Sequence, residues 1–231
     1  MLKWKNEEEL FAMAKQELFT ALVGDVLDKL GFLHQFLPQQ LKPLDPKMVI
    51  IGRAMPVLET DVFDEVVVGT HNPIMQKPFG LMFEALDSLQ ENEVYVCTGS
   101  SPKYALWGEL MSVRAIKLKA AGAVMNGFSR DTNQILNLNF PTFSLGSYAQ
   151  DQGARGKVID YRVAIEWDHI RISPGDIIFG DRDGVLVIPK EIEEEAFTRA
   201  LEKARVEKLV LKTLQNDGMS SVDAFCKFGI M

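Results

Sequence analysis

An α/β fold is what this sequence predicts, and three observations carry the prediction. Short apolar runs of strand character alternate with helix-period segments through the first half of the chain. The second half changes to alternating apolar residues punctuated by Pro-Gly-Asp and Asp-Gly, the pattern of antiparallel strands and hairpins. A long charged helical stretch then closes the chain. Together these give βαβ units first and a β-rich second half, with no internal repeat or low-complexity segment.

In order along the chain, Leu10, Phe11, Ala14, Leu18, Leu22, Val26, Leu27 and Leu30 recur at helical spacing, predicting one or two amphipathic helices stopped by Gly31. A Pro-bounded loop leads into a buried strand within residues 42–60, and the run Asp64–Pro73 continues that strand pattern. Residues 81–98 read as a short helix, a polar turn and the strand Val94–Thr98. Residues 105–122 read as a helix ended by Gly122. A strand at Ala123–Asn126 runs into a loop, and residues 132–146 give a short helix and another strand. Residues 157–189 read as antiparallel strands, with Gly180–Gly184 as a tight hairpin turn rather than a Ca²⁺ loop, since the EF-hand spacing and its terminal Glu are missing. Helix resumes from Lys190 to Leu214 and again, briefly, after Gly218.

At 231 residues the chain buries a substantial core as one domain, residues 1–231, with an N-terminal helical extension over 1–17 and C-terminal helices over 190–231. A hydrophobic fraction of 47% and a charged fraction of 25% are ordinary for a soluble globular protein. The net charge of −7 argues against nucleic acid as a partner, because phosphate binding needs a Lys/Arg footprint. No apolar run is long enough to span a bilayer and the N-terminus lacks a signal-peptide core, so a cytoplasmic, membrane-free protein is expected. Cys97 and Cys226 read as buried, reduced thiols.

Gly99 to Asp131 is the stretch that carries chemistry. A strand ending at Thr98 leads through a small polar loop to Gly108-Glu109-Leu110, where a helix begins. Backbone N–H groups at a helix start carry partial positive charge and bind carboxylates. The next strand delivers Arg130 and Asp131 to a loop, and such loops gather at the carboxyl ends of parallel strands. Arg130 can donate two parallel hydrogen bonds to a carboxylate. Asp131 and Glu109 offer hard oxygen ligands, and Mg²⁺ takes one or two protein carboxylates while keeping open positions. Taken alone, an Arg-Asp pair is equally a surface ion pair, and Glu109 equally a partner for the helix dipole. His34, His71 and His169 lack ligand spacing. No Gly-rich nucleotide fingerprint is present.

Twenty residues separate Glu109 from Arg130, and Asp131 follows at once. This resembles the acidic-residue, twenty-spacer, Arg-Asp signature of the family that holds the 4-hydroxy-4-methyl-2-oxoglutarate aldolases and the regulator of ribonuclease activity A (RraA-like). Further matching stretches are Gly24–Gly31, Ala105–Leu110, Phe140–Phe143, Pro174–Ile177 and Gly184–Pro189, so that the resemblance runs over about residues 18 to 230.

That resemblance implies a layered α/β/β/α fold like a swivelling phosphohistidine domain, assembled as a homotrimer or homohexamer with sites between subunits. It implies Mg²⁺ or Mn²⁺ held directly by Asp131 and through water by Glu109. Arg130 would contact the pyruvyl part of a small 2-oxo acid, and the backbone amides around Gly108, Leu110 and Met111 would hold its carboxylate. A late-helix Glu of the neighbouring subunit would join the metal's water shell; Glu207 is the candidate and Glu202 the second choice. The implied activity is cleavage of a 4-hydroxy-2-oxo acid to pyruvate, with oxaloacetate decarboxylation, through a pyruvate enolate. A protein-binding regulator of a ribonuclease, or the same site acting on another small acid, are the alternatives. Position 109 is Glu where the aldolases carry Asp, and Asn126 and Ser100-Ser101 also depart from the family pattern.

Overall fold

The structure, a computed structural model, describes residues 4–216 and 218–229. Residues 1–3 of the expected N-terminal extension, Asp217, and residues 230–231 after the last expected helix lie outside the described residues. In chain order come helices α1 (Glu7–Glu17) and α2 (Thr20–Lys29), strands β1 (Lys42–Pro43) and β2 (Ile50–Asp61), and helix α3 (Met82–Asp87). Strands β3 (Glu93–Thr98) and β4 (Ala105–Trp107), helix α4 (Glu109–Lys117) and strands β5 (Gly122–Met125) and β6 (Phe128–Ser129) follow. After α5 (Thr132–Leu138) come β7 (Thr142–Ser144), β8 (Gly156–Tyr161), β9 (Ile165–Trp167), β10 (Ile170–Ile172), β11 (Ile177–Gly180) and β12 (Val185–Ile188). The last helices are α6 (Glu193–Asn216) and α7 (Ser221–Phe228).

The chain divides into two compact units, one made of His34–Lys190 and one of Met1–Leu33 with Glu191–Met231. In the unit of the chain ends, α2 packs on α6, and α6 on α1 and α7. The reason is amphipathic spacing: Leu22, Val23, Val26 and Leu27 of α2 are buried, as are Phe197, Ala200, Leu201 and Ala204 of α6. Asn6 caps α1 by accepting from Glu9 N–H at 2.9 Å, and Glu7, Glu8 and Glu9 complement that helix's positive end. Lys203 pairs with Asp25 between α6 and α2. Gly31, at φ +88°, ends α2, as the sequence predicts.

The unit of residues 34–190 is built on an eight-stranded sheet in the order β1-β7-β5-β3-β2-β11-β12, with β8 also on β2. β2, β3, β5 and β7 are parallel; β1, β8, β11 and β12 join antiparallel. The central parallel strands β3 and β5 are almost wholly apolar because both of their faces are covered. Val94, Val96 and Val124 point into one core with Leu41, Phe143, Trp167 and Ile172, and the β9–β10 hairpin closes that side. Tyr95, Cys97, Ala123 and Met125 point into the other, which Met82, Ala85, Ala115 and Ile135 of α3, α4 and α5 cover. The mixed α/β architecture and the switch from parallel to antiparallel pairing are those that the sequence predicts.

Four expectations are corrected. Residues 62–72 form no strand: the buried Lys157 side chain donates Nζ to the backbone oxygens of Glu65 (2.6 Å) and Lys77, folding the segment into a loop. Ala105–Trp107 is a strand rather than the first turn of a helix. Helix α4 stops at Lys117 with Leu118 as cap, and Gly122 instead opens β5. Cys97 is buried as expected, but Cys226 is exposed, because the buried position of α7 is taken by Ala224. Among the described residues no helix is long and apolar enough to cross a membrane.

Phe143 lies fully buried in the core on the side closed by the β9–β10 hairpin. Phe143→Ala is expected to cost about 3–5 kcal/mol through lost transfer energy plus a residual cavity. Urea denaturation followed by circular dichroism, with an unchanged m-value, checks it.

Candidate active site

Two very short strands create the site. β4 and β6 pair in parallel, and the amide of Arg130 donates to the carbonyl oxygen of Trp107 at 2.9 Å. That pairing makes the two segments leave the ladder side by side. One becomes Gly108 and α4, the other Arg130, Asp131 and α5. Trp107 anchors the ladder in the core: its ring stacks on Phe140 at 5.9 Å, and its Nε1 donates to Ser112 Oγ at 2.7 Å. The Ser112 hydroxyl in turn donates to the Gly108 carbonyl oxygen at 3.0 Å.

Gly108 is the N-cap of α4 and has no side chain with which to cap it. The cap comes from across the ladder, where Asp131 Oδ2 accepts from Glu109 N–H at 3.1 Å. A Cβ on residue 108 would lie 2.7 Å from that oxygen, so a larger residue would have to push the carboxylate aside. The amides of Leu110 and Met111 belong to the orphan donors of the first helical turn, where a carboxylate is favoured, and both residues line the cleft. Asp131 itself sits in the left-handed region at φ +56°, a conformation an aspartate tolerates at some cost. Oδ1 of Asp131 accepts no hydrogen bond among the described residues.

Arg130 spans two carboxylates. Its Nη1 lies 2.6 Å from Asp151 Oδ1, and its Nε 3.8 Å from Asp131 Oδ2. The side chains of Arg130 and Asp131 are each 40% exposed, so a small ligand reaches both. They form one end of a cleft of about 420 Å³ whose other walls are largely apolar, with Phe79, Met82, Leu86 and Met111 among them. Arg114 and Asp87, 2.7 Å apart, sit at its rim. A smaller recess of about 260 Å³ opens on the other side of Arg130 and Asp131, past Thr132, Ser147 and Tyr148.

The structure therefore brings together Gly108, Leu110, Met111, Arg130 and Asp131, and Glu109 joins through its backbone amide. Glu207 belongs to the unit of the chain ends, on α6, half-buried, with Lys203 Nζ at 3.4 Å; Glu202 on the same helix is exposed. The three histidines are exposed. Asn126 ties the ends of β5 and β3 together through Thr98 Oγ1 at 2.8 Å. Ser101 donates its amide to Asp61 at 2.9 Å. Sequence reasoning missed Asp151, because it lies in a polar loop with no periodicity or motif to mark it.

Among the described residues no three Asp, Glu, His or Cys side chains gather into a cage for a metal ion. The donor set still suits Mg²⁺, which binds through one or two carboxylates and completes its shell with water and ligand oxygens. Asp131 supplies a reachable carboxylate with one uncommitted oxygen, and Glu109 a second carboxylate on the adjoining helix start.

Residues 20–187 match the model of the RraA-like family, described as aldolase/RraA. A protein of Halalkalibacterium halodurans named "Putative 4-hydroxy-4-methyl-2-oxoglutarate aldolase" is 29% identical over 184 residues, 80% of this chain and 79% of its own. Protein DlpA of Legionella pneumophila is 28% identical over 79% of this chain, which spans only 28% of that protein's length. Among solved structures, one titled as novel cellulases from microbes of the gut ecosystem is 33% identical, covers 88% of this chain and 87% of its own, and has a TM-score of 0.78. The RraAS2 protein of Streptomyces coelicolor, titled an unusual member of the RNase ES inhibitor RraA family, shares the fold at 19% identity and a TM-score of 0.75, covering 89% of this chain and 98% of its own. The family match runs through the β4–β6 ladder and everything it positions, and on that span this chain belongs to the RraA-like family.

Proposed function

We propose that this chain is a divalent-metal-dependent lyase that cleaves a 4-hydroxy-2-oxo acid, of the 4-hydroxy-4-methyl-2-oxoglutarate type, to pyruvate, and that decarboxylates oxaloacetate. The observation that carries the reading is the convergence of three features within one cleft: a helix start with orphan amides, a guanidinium, and a reachable carboxylate. Both reactions pass through the pyruvate enolate, so both need the same charge stabilised on the same oxygen. The names of relatives support a lyase.

Asp131 would hold Mg²⁺ or Mn²⁺ directly, and Glu109 through water. When bound, the metal supplies Lewis-acid stabilisation of the charge developing on the 2-keto oxygen. The amides of Leu110 and Met111 bind the carboxylate of the pyruvyl group, which sets its orientation. Arg130, held by Asp151, would supply a second positive charge to stabilise the enolate oxygen. The apolar walls exclude water and strengthen these interactions. A homotrimer or homohexamer would place Glu207 of a second copy at the cleft. No lysine is needed as an electron sink.

Pyruvate release from oxaloacetate and from 4-hydroxy-4-methyl-2-oxoglutarate, coupled to lactate dehydrogenase, tests the proposal. Turnover is expected with Mg²⁺ and absent with EDTA. No pyruvate from either substrate, in a folded and metal-supplied sample, overturns it and leaves a ribonuclease-binding role as the next assay. Asp131→Ala is expected to abolish both Mg²⁺ binding and turnover; full activity in that variant contradicts the assignment. Gly108→Ala pushes a methyl group against Asp131 Oδ2 and is expected to weaken Mg²⁺ about 10–100-fold, the range seen when the support of a metal ligand is disturbed, as isothermal titration calorimetry would read.

A further inference from the structure

We propose that Glu59 is a positioning residue for the cleft, fixing Gln152 from the core and with it the Asp151 carboxylate that grips Arg130. The inference rests on the lyase reading only for what the cleft does. The linkage itself stands on geometry.

Glu59 is 2% exposed, on β2, at the point where the register between β2 and β8 slips. Strand alternation places its side chain on the face that carries Met55 and Val57, so the carboxyl enters the core. Its Oε1 accepts from Gln152 Nε2 at 2.7 Å. Gln152 is also buried, and its carbonyl oxygen accepts from the amides of Arg155 (2.6 Å) and Gly156 (3.0 Å), which makes it the pivot of the turn. Asp151 is its neighbour, holding Arg130 Nη1 with Oδ1 and the Gly153 amide with Oδ2 at 2.8 Å. The loop is tied once more where Ala105 N–H donates to Gln150 O at 2.9 Å, at the start of β4. Thus the segment opposite Arg130 hangs from the ladder on one side and from a buried carboxyl on the other.

Space around Glu59 is used up. A Cβ at position 156 would lie 2.5 Å from Glu59 Oε1 and 2.2 Å from the Tyr104 hydroxyl, and one at position 99 would lie 2.3 Å from the Glu59 carbonyl oxygen. The groups facing the carboxyl are Asp61 on its own strand, Tyr95 and Cys97 on β3 (Sγ 4.0 Å away), Tyr104 before β4, and Gln152. Tyr104 is committed to Asp61, donating at 3.0 Å. No cation is among these groups, and burial, with the Asp61 charge added, pushes Glu59 up to about 8. Glu59 is therefore neutral at pH 7, able both to accept from Gln152 and to keep its own proton. Ionisation above that value puts an anion beside Asp61 in the core, which destabilises the strand end that supports the turn even though the bond from Gln152 to a charged acceptor is itself stronger.

The folded pKa lies above the ordinary carboxylate value, so the folded state holds a proton the unfolded chain has lost. The contribution is complete below about pH 4.5 and declines as pH rises through 8. Gln at this position mimics the protonated carboxyl and removes that dependence.

The experiment compares wild type, Glu59→Gln and Glu59→Ala as full chains, by amide hydrogen exchange of residues 148–155 and by oxaloacetate turnover with Mg²⁺ from pH 6.5 to 9.5. Glu59→Ala is expected to speed exchange in that loop and to lower kcat/KM by about 10²-fold, the scale of a misplaced binding group. Glu59→Gln is expected to keep wild-type exchange and turnover at pH 7 and to lose the decline expected of wild type above pH 8. Its thermal midpoint is expected to vary less between pH 4.5 and 8. Wild-type loop exchange in Glu59→Ala, or an identical alkaline decline in Glu59→Gln, overturns the proposal. If Glu59→Ala fails to fold, the pH profile of Glu59→Gln decides. If wild type itself makes no pyruvate, the lyase reading fails and the exchange arm still decides the role of Glu59.

Discussion

One backbone hydrogen bond, from Arg130 N–H to the Trp107 carbonyl oxygen, sets the relative position of everything in the cleft. It belongs to a ladder of two- and three-residue strands, too short to be stable alone. The ladder persists because Trp107 is fully buried, packed against Tyr95 and Phe140 and tied through Ser112 to the first turn of α4. Core packing energy is thereby converted into the placement of a guanidinium and a carboxylate. Two segments that lie twenty residues apart in sequence end up sharing one hydrogen bond, Glu109 N–H to Asp131 Oδ2.

That shared contact binds opposite tendencies. Helix α4 needs a cap that Gly108 cannot supply, and Asp131 needs a donor to hold it in the left-handed region. Each satisfies the other, so a strained carboxylate is kept at the mouth of the cleft with one oxygen uncommitted. Arg130 is treated the same way: Asp151 engages one edge of its fork and leaves the cation half-exposed. Groups held in advance of a ligand lose little on binding, which is the physical basis for electrostatic preorganisation.

The second constraint lies deeper. A carboxyl at Glu59 with an amide as its partner is an expensive way to fill a core, and an apolar side chain would pack there at lower cost. What the polar pair provides is direction, since a hydrogen bond fixes the Gln152 amide where a methyl group would leave it free to rotate. Gly99 and Gly156 approach it so closely that a Cβ at either position would lie within 2.5 Å of a Glu59 oxygen.

Local chemistry made much of this legible. Helical periodicity in residues 7–30, the apolar runs at 94–98 and 123–126, and the Asp-Gly turn at 181–184 each reflect interactions within a few residues, so the sequence alone determined the α/β class and most of its elements, but not the short strands β4 and β6. Gly108, Glu109, Arg130 and Asp131 were readable because a helix start and a strand-end loop are local features with known chemistry. The strand reading of residues 64–73 failed because its outcome depends on Lys157, some ninety residues away, reaching back for the Glu65 and Lys77 carbonyls. Asp151, Gln152 and Glu59 left no trace for the same reason: each takes its place through a partner distant in sequence, and only the folded sheet brings those partners within hydrogen-bonding range. The sequence determined which groups were available; the tertiary structure decided which would meet, because register and core packing are properties of the whole sheet.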